Sequence, residues 1–429
     1  MKKTLRLIPI LLIAAMLLTG CGMITTSGNT AGTVNTVGSG SASANTASAV
    51  TTGSEASSAA GDTASTAFSK RDLSGEYDTE DAVYITLTGD TATEDSDFVT
   101  VEGSIVTVTG AGTYILSGTL NGSIIVNASK DDKVQLVLAG VEISSDTFAA
   151  IYVSQADKVF VTLAEGTENT LSNGGSFTQI DDHNVDAVIF SRDDLTLNGS
   201  GSLTIISPAG HGIAGKDEVV ITGGAYTITA SNHAIQAKDS IAISGGSFTL
   251  NARKDGLHAE NDEDDTLGNI LITGGSFVIS VSDDAVHAEA LLQIDGGSLT
   301  ITAAEGLEAT YIIINDGEIN ITASDDGINA AKKSTAYTPT FEMNGGTVTI
   351  SMGQGDTDGV DSNGNIVING GTISVTGNST FDYDGTAQYN GGTVIVNGQK
   401  VTTIPNQMMG GGFGGGSGGF GGFGGGGRH

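Results

Sequence analysis

Eight copies of one short phrase, between residues 219 and 397, limit what this chain can fold into. In order they read VVITGGAYTITA, IAISGGSFTLNA, ILITGGSFVISV, LQIDGGSLTITA, IIINDGEINITA, TFEMNGGTVTIS, NIVINGGTISVT and TAQYNGGTVIVN. The first glycine of the pair falls at 223, 245, 274, 296, 345, 370 and 391, and Asp316 takes its place in the fifth copy. β-Branched and aromatic residues alternate with polar ones on both sides of the pair, the pattern of strand, tight bend and strand. None of these copies carries a helical period of any length. A unit of about 22 residues built from short strands is what a β-solenoid requires. A leucine-rich repeat would show its Leu and Asn ladder, and a propeller blade would need roughly 40 residues. Pro208, Pro339 and Pro405 all fall between strand runs, where no ladder hydrogen bond is lost.

The reading is therefore all-β: one right-handed parallel β-helix, a pectate-lyase-like solenoid, over residues 71–405. Residues 77–171 lack the glycine pair but carry runs such as VQLVLAGV at 134–141, and they supply the first coils and a cap. Between residues 98 and 402 there is room for about twelve or thirteen coils, a rod on the order of 60 Å at the interstrand spacing.

A second motif keeps step with the glycine pairs: a polar residue, a small one, an aliphatic one and another polar one. It appears at Asp186, His211, His233, Asp255-Gly-Leu-His258, Asp284-Ala-Val-His287, Glu305-Gly-Leu-Glu308, Asp326-Gly-Ile-Asn329 and Asp358-Gly-Val-Asp361. One copy per coil puts the first residues in one column and the fourth residues in another. An aspartate that caps its own turn accounts for part of such a column. It does not account for carboxylates stacked roughly 4.8 Å apart, which repel by about 1 kcal/mol per pair even in water. Few basic side chains fall in register to neutralise them, so a divalent cation is expected, and oxygen-rich calcium coordination fits the coil rise. The expected calcium ligands are Asp255, Asp283, Asp284, Glu305, Asp325, Asp326, Asp356, Asp358 and Asp361. His258 and His287, in the second column, are expected to contact substrate as neutral hydrogen-bonding groups rather than hold a softer metal. Lys254 and Tyr337 are the other expected substrate contacts. Insertions after the motif, ENDEDD at 260–265 and KKSTAYTP at 332–339, mark the working edge.

The flanks and the charge set the setting. The only cysteine, Cys21, follows a basic head (Lys2, Lys3, Arg6) and a short apolar run, the form of a bacterial lipoprotein signal cleaved before Cys21. The expectation is a signal peptide over 1–20 and a lipidated Cys21 as the sole membrane attachment, on the extracellular face of the cytoplasmic membrane. A Ser/Thr/Ala/Gly tether then runs to residue 70, and a Gly/Phe tail occupies 406–429. The formal net charge of -32, from 49 acidic and 17 basic residues, excludes nucleic acid as a partner, because phosphate neutralisation needs patches of Lys and Arg. A monomer is expected.

Residues 112–173, with GTYILSGTL, VQLVLAGVEI and the stretch from AIYVSQADKVFVT to the asparagine-glycine end, followed by the acidic motif and the glycine pairs, resemble the bacterial carbohydrate-binding β-helix lipoproteins. The resemblance implies a pectate-lyase-like right-handed β-helix that holds calcium and binds plant-type polysaccharides, including acidic ones. It places the calcium role on the aspartates of the motif and leaves it open at His211 and His233, which lack a carboxylate. An acidic glycan such as polygalacturonate would then share calcium with the protein. The alternatives are a calcium-assisted lyase using Arg253 and Lys254, or a structural or adhesive surface protein. Trp, the usual sugar platform, is absent; Tyr337, Tyr383 and Tyr389 are the substitutes.

Overall fold

In the computed structural model each coil is three strands long. One coil consists of Asp284–Ala288, Leu291–Ile294 and Ser298–Ala303, and the next of Glu305–Ala309, Tyr311–Ile314 and Glu318–Ala323. Each strand pairs in parallel with its counterpart one coil away: Val286 with Leu307, Leu292 with Ile312, Leu299 with Ile319. The structure describes residues 67–180, 183–353 and 357–407, all within one compact unit, Gly53–His429. Cys21, the signal segment, most of the tether, Asp356 and the Gly/Phe tail beyond residue 407 lie outside the described residues. Those described contain no helix. They form an all-β stack of parallel coils, as the repeat predicts.

The alternation read from the repeat is the burial pattern of the third strand. In Ser298–Ala303 the side chains of Leu299, Ile301 and Ala303 are buried while Thr300 and Thr302 face solvent. Like residues stack on like along the axis. Tyr226, Phe248 and Phe277 pile face to face with ring centroids 5.2 and 4.5 Å apart, and Leu299, Ile319 and Val348 continue the file. Dispersion contacts and water exclusion in this continuous core hold the coils together.

The glycine pair turns the chain between the second and third strands, and its second member carries the geometric demand. Gly297 has φ +97° and Gly317 φ +117°, the left-handed region that a Cβ disfavours. The first member has no positive φ, and Asp316 takes its place in one copy; elsewhere it passes close to the neighbouring coil, where a Cβ on Gly345 would lie 2.2 Å from the Asn315 carbonyl oxygen.

Both ends of the stack are closed by antiparallel pairs, Val99–Glu102 with Ile105–Val108 at the start and Thr393–Val396 with Gln399–Val401 at the finish. Such caps block the open strand edges that invite further pairing. Among the described residues twelve parallel strands, from Ile105–Val108 to Ser379–Tyr383, run along the face that bears the polar motif.

Ordered contacts begin before the body boundary expected at residue 71. Asp72, 2% exposed, accepts from Thr196 Oγ1 at 2.6 Å and from Ser69 N at 2.8 Å, and pairs with Lys158 Nζ at 3.0 Å. Thr222 Oγ1 donates to its backbone carbonyl at 2.5 Å, and the Arg71 guanidinium lies 4.3 Å from the centre of the Phe160 ring. Residues 69–74 therefore strap the side of the stack.

Candidate functional site: a mixed imidazole and carboxylate groove

The polar motif occupies the first strand of successive coils, and register turns it into two columns. Along one, Asp284 pairs with Glu305, and Asp358 with Ser379; along the other, Gln236, His258, His287, Glu308, Asn329, Asp361 and Asp382 follow one another. Residues three apart on a flat strand point to opposite faces. Here the strand bends after its first residue and brings both columns to one side, as the 2.8 Å bond between His287 Nδ1 and Asp284 Oδ2 records. The bend sits at the small residue, which passes close to the neighbouring coil. A Cβ on Gly306 would lie 2.3 Å from the Gly327 carbonyl oxygen, and one on Gly327 2.5 Å from that of Gly359. Asp186 stands outside the column, because Ala187 is the residue that pairs with His211.

The columns line a groove of about 530 Å³ bounded by His211, Asn232, His233, Gln236, Lys254, Asp255, His258, Glu260, Asp283, Asp284, His287, Glu305, Glu308 and Lys333. Its two ends differ. Toward the N-terminal coils the rings of His211, His233, His258 and His287 stack with centroids 5.1, 4.0 and 4.8 Å apart. Asp255 Oδ2 lies 3.0 Å from His233 Nδ1 and 2.7 Å from His258 Nδ1. Burial works against ionising Asp255, but these two imidazoles outweigh it and hold its carboxyl below the ordinary range. His211 is pushed down to about 3 by burial, reinforced by the neighbouring imidazoles.

Toward the C-terminal coils oxygen prevails. Ligand atoms of Asp284, Glu305 and Glu308 lie within 4.8 Å of one another. Burial first, then the neighbouring carboxylates Glu308, Asp284 and Asp326, push Glu305 up to about 8. Asp284 is raised by burial and by Asp255 and Glu308. Asp326 is held at about 7 and Asp361 at about 6, again by burial and then by adjacent aspartates. Buried oxygens without a hydrogen-bond donor among the described residues, Asn329 Oδ1 and Asp382 Oδ1, lie in the same columns. This surplus of acceptors, all oxygen, has the donor chemistry of a calcium site.

The expectation that few basic groups neutralise the column needs correcting. His287 Nδ1 stands 2.8 Å from Asp284 and 2.7 Å from Glu308, and Lys333 Nζ stands 2.8 Å from Glu308. Burial opposes the charge on His287, but its two carboxylates overcome that and raise its pKa, so without metal it is a cation rather than a neutral group. Lys333 comes from an inserted loop, and the two insertions meet: Ser334 Oγ donates to the Asp265 carbonyl at 2.6 Å.

Of the expected residues, the groove gathers Lys254, Asp255, His258, Asp283, Asp284, His287 and Glu305. Asp326, Asp358 and Asp361 continue the columns beyond it, with Asp358 N donating to Asp326 Oδ1 at 3.1 Å, and Asp325 is exposed beside them. Tyr337 is elsewhere, packed against Tyr311 at 5.7 Å in a depression formed with Glu218, Asn269 and Gln293. Arg253 is separated from Lys254, lining a second groove with Ile206, Pro208 and Asn251. Glu308, Lys333, His233 and Glu260 were not among the expected site residues. Glu308 and His233 carry the signal of the motif itself; Lys333 and Glu260 sit on insertions with no period.

A family model described as carbohydrate-binding domain-containing protein matches residues 102–359 and 308–404. A carbohydrate-binding domain-containing protein of Acetivibrio thermocellus is 39% identical over 128 residues, 29% of this chain and 45% of that protein. The match thus spans less than half of that relative's length. Among solved structures, the polysaccharide lyase-like protein from C. thermocellum, as its gadolinium derivative, superimposes with a TM-score of 0.51 at 34% identity, covering 52% of this chain and 91% of that one. With the family model matching most of the coil stack that carries the groove, this chain belongs to the family of carbohydrate-binding domain-containing proteins.

Proposed function

We propose that this protein is a non-catalytic, calcium-dependent binder of acidic polysaccharide, a member of the bacterial β-helix lipoproteins carried on the outer face of the cytoplasmic membrane by a lipidated Cys21. We take the coils to wind right-handed, as nearly all parallel β crossovers do. The observation that carries the reading is the Asp284, Glu305 and Glu308 cluster, where carboxylates crowd closely enough to hold Glu305 at about 8 in the absence of metal. Asp284, Glu305 and Glu308 would hold calcium, with Asn329 Oδ1 as a further donor. Calcium, when bound, supplies a positive charge that a uronate carboxylate can share with the protein. Asp326, Asp358 and Asp361 extend the same oxygen surface along the coil axis. Lys254, exposed on the rim, offers a direct contact to an acidic sugar. The family's carbohydrate-binding character and the lyase-like neighbour support a glycan ligand.

A lyase would need an unengaged base beside the bound uronate. Burial alone would lower the pKa of Lys333, but its bond to Glu308 raises it and keeps the ammonium protonated. Arg253 faces the other groove. These two are thereby removed as bases, and Lys254, on the groove rim, is the residue a lyase would have to use.

The test is capture on a panel of immobilised neutral and acidic glycans, with calcium or with EDTA, followed by ultraviolet absorbance after incubation with polygalacturonate. Calcium-dependent retention on polygalacturonate with no rise in absorbance is the expected result. Equal retention in EDTA would overturn the metal role, an absorbing product would establish the lyase, and retention on no glycan would leave a structural protein.

A further inference from the structure

We propose that the imidazole-rich end of the groove is a second and chemically distinct metal site, in which His233, Asp255 and His258 hold a divalent transition ion of the zinc class. This goes beyond the calcium reading and stands on different atoms. One ligand atom from each of the three residues lies within 4.8 Å of the others. Two of the three are nitrogen, a donor that a hard ion such as calcium avoids and zinc prefers.

His258 carries the argument. Its Nε2 lies 3.1 Å from Glu260 Oε2 and its Nδ1 lies 2.7 Å from Asp255 Oδ2. Both ring nitrogens therefore face carboxylate oxygens, the placement in which a divalent ion at Nδ1 would be shared with Asp255 while Glu260 orients the ring through Nε2. A histidine bound to metal through one nitrogen and tied to a carboxylate through the other is the usual arrangement in protein metal sites. His233 Nδ1 adds a second nitrogen 3.0 Å from the same Asp255 oxygen; it accepts from the Asp255 backbone N–H at 3.2 Å, a bond that an ion bound there would replace. A further donor is at hand: His211, 5% exposed and stacked on His233, has a buried Nδ1 with no hydrogen-bond partner among the described residues. The groove leaves room for water or a ligand at the remaining position.

The untagged full chain, saturated with calcium throughout, is titrated with cobalt(II) as a spectroscopic stand-in for zinc. One equivalent should give visible absorption of a low-coordinate nitrogen site, and zinc should abolish it. His258→Ala and His233→Ala should each weaken binding by at least the 10- to 100-fold that loss of a supporting residue costs. Glu260→Gln, at an exposed position that leaves the core intact, should weaken it by about tenfold. Asn320→Ala, outside the groove, should change nothing. The proposal is overturned if cobalt does not bind, if binding survives both histidine substitutions, or if calcium competes it away. Since calcium is saturating and the readout is cobalt absorption, loss of this site and loss of calcium-dependent glycan capture are separately visible.

Discussion

Glu305→Gln should make the protein more stable without calcium and less responsive to calcium. In the metal-free fold this carboxyl is raised from 4.5 to about 8, first by burial and then by Glu308, Asp284 and Asp326. Below pH 4.5 the folded and unfolded chains both hold the proton, and nothing differs. Between 4.5 and 8 the unfolded chain releases a proton that the folded chain keeps, so stability falls as pH rises, and the loss levels off above 8. At about 1.4 kcal/mol per pH unit the ceiling is about 5 kcal/mol. Glu305 retains some solvent contact, and screening reduces this to ~2 kcal/mol. The amide of Gln keeps an oxygen for Asn329 Nδ2, which donates to Glu305 Oε2 at 2.9 Å, but carries no charge. Calorimetry in EDTA should therefore find the variant more stable by about 3 °C at pH 8.5 and unchanged at pH 4. In calcium the order reverses, because metal stabilises the native state by mass action only where the ligand set is whole. A variant no more stable in EDTA at high pH, or one that calcium raises as far as the parent protein, would refute the reasoning.

Other perturbations test the framework. Gly327→Val would force a Cβ to within 2.5 Å of the Gly359 carbonyl and should cost about 3 kcal/mol by overpacking, read by urea denaturation. Asn344 donates to Asn315 at 2.8 Å and accepts from Asn369 at 2.8 Å, so Asn344→Ala should lose about 1 kcal/mol per broken bond, with melting as the measure. Asp72→Ala leaves the half-buried Lys158 ammonium with only the longer pair to Glu218 at 3.8 Å and should cost about 2 kcal/mol; hydrogen exchange should show residues 69–74 released before the coils.

The coils were legible because the repeat carries their geometry directly. A positive φ demands glycine, an inward position demands an apolar residue, and both recur in step, so Phe248 over Phe277 follows from spacing alone. The columns were legible for the same reason, from Asp255 to Asp361. Their charge balance was not. Lys333 reaches Glu308 from a loop whose path no period encodes, and Tyr337 on that same loop ends on another face of the stack. Whether His287 is neutral depends on two carboxylates meeting it from adjacent coils, a matter of ångströms that residue order does not contain. Asp186 misled because its motif matches while its strand is displaced by one residue. The docked strap at Asp72 has no repeat at all, and its partners lie 86 to 150 positions away in the chain.

The groove is not the same read forward and backward. Nitrogen donors gather at the end nearer His211, and carboxylate oxygen at the end nearer Asp361. A sugar chain also has two unlike ends, so laying it in one sense or the other matches different groups to different charges. A repetitive scaffold thereby acquires an arrow, and a polymer laid along it would have a head and a tail.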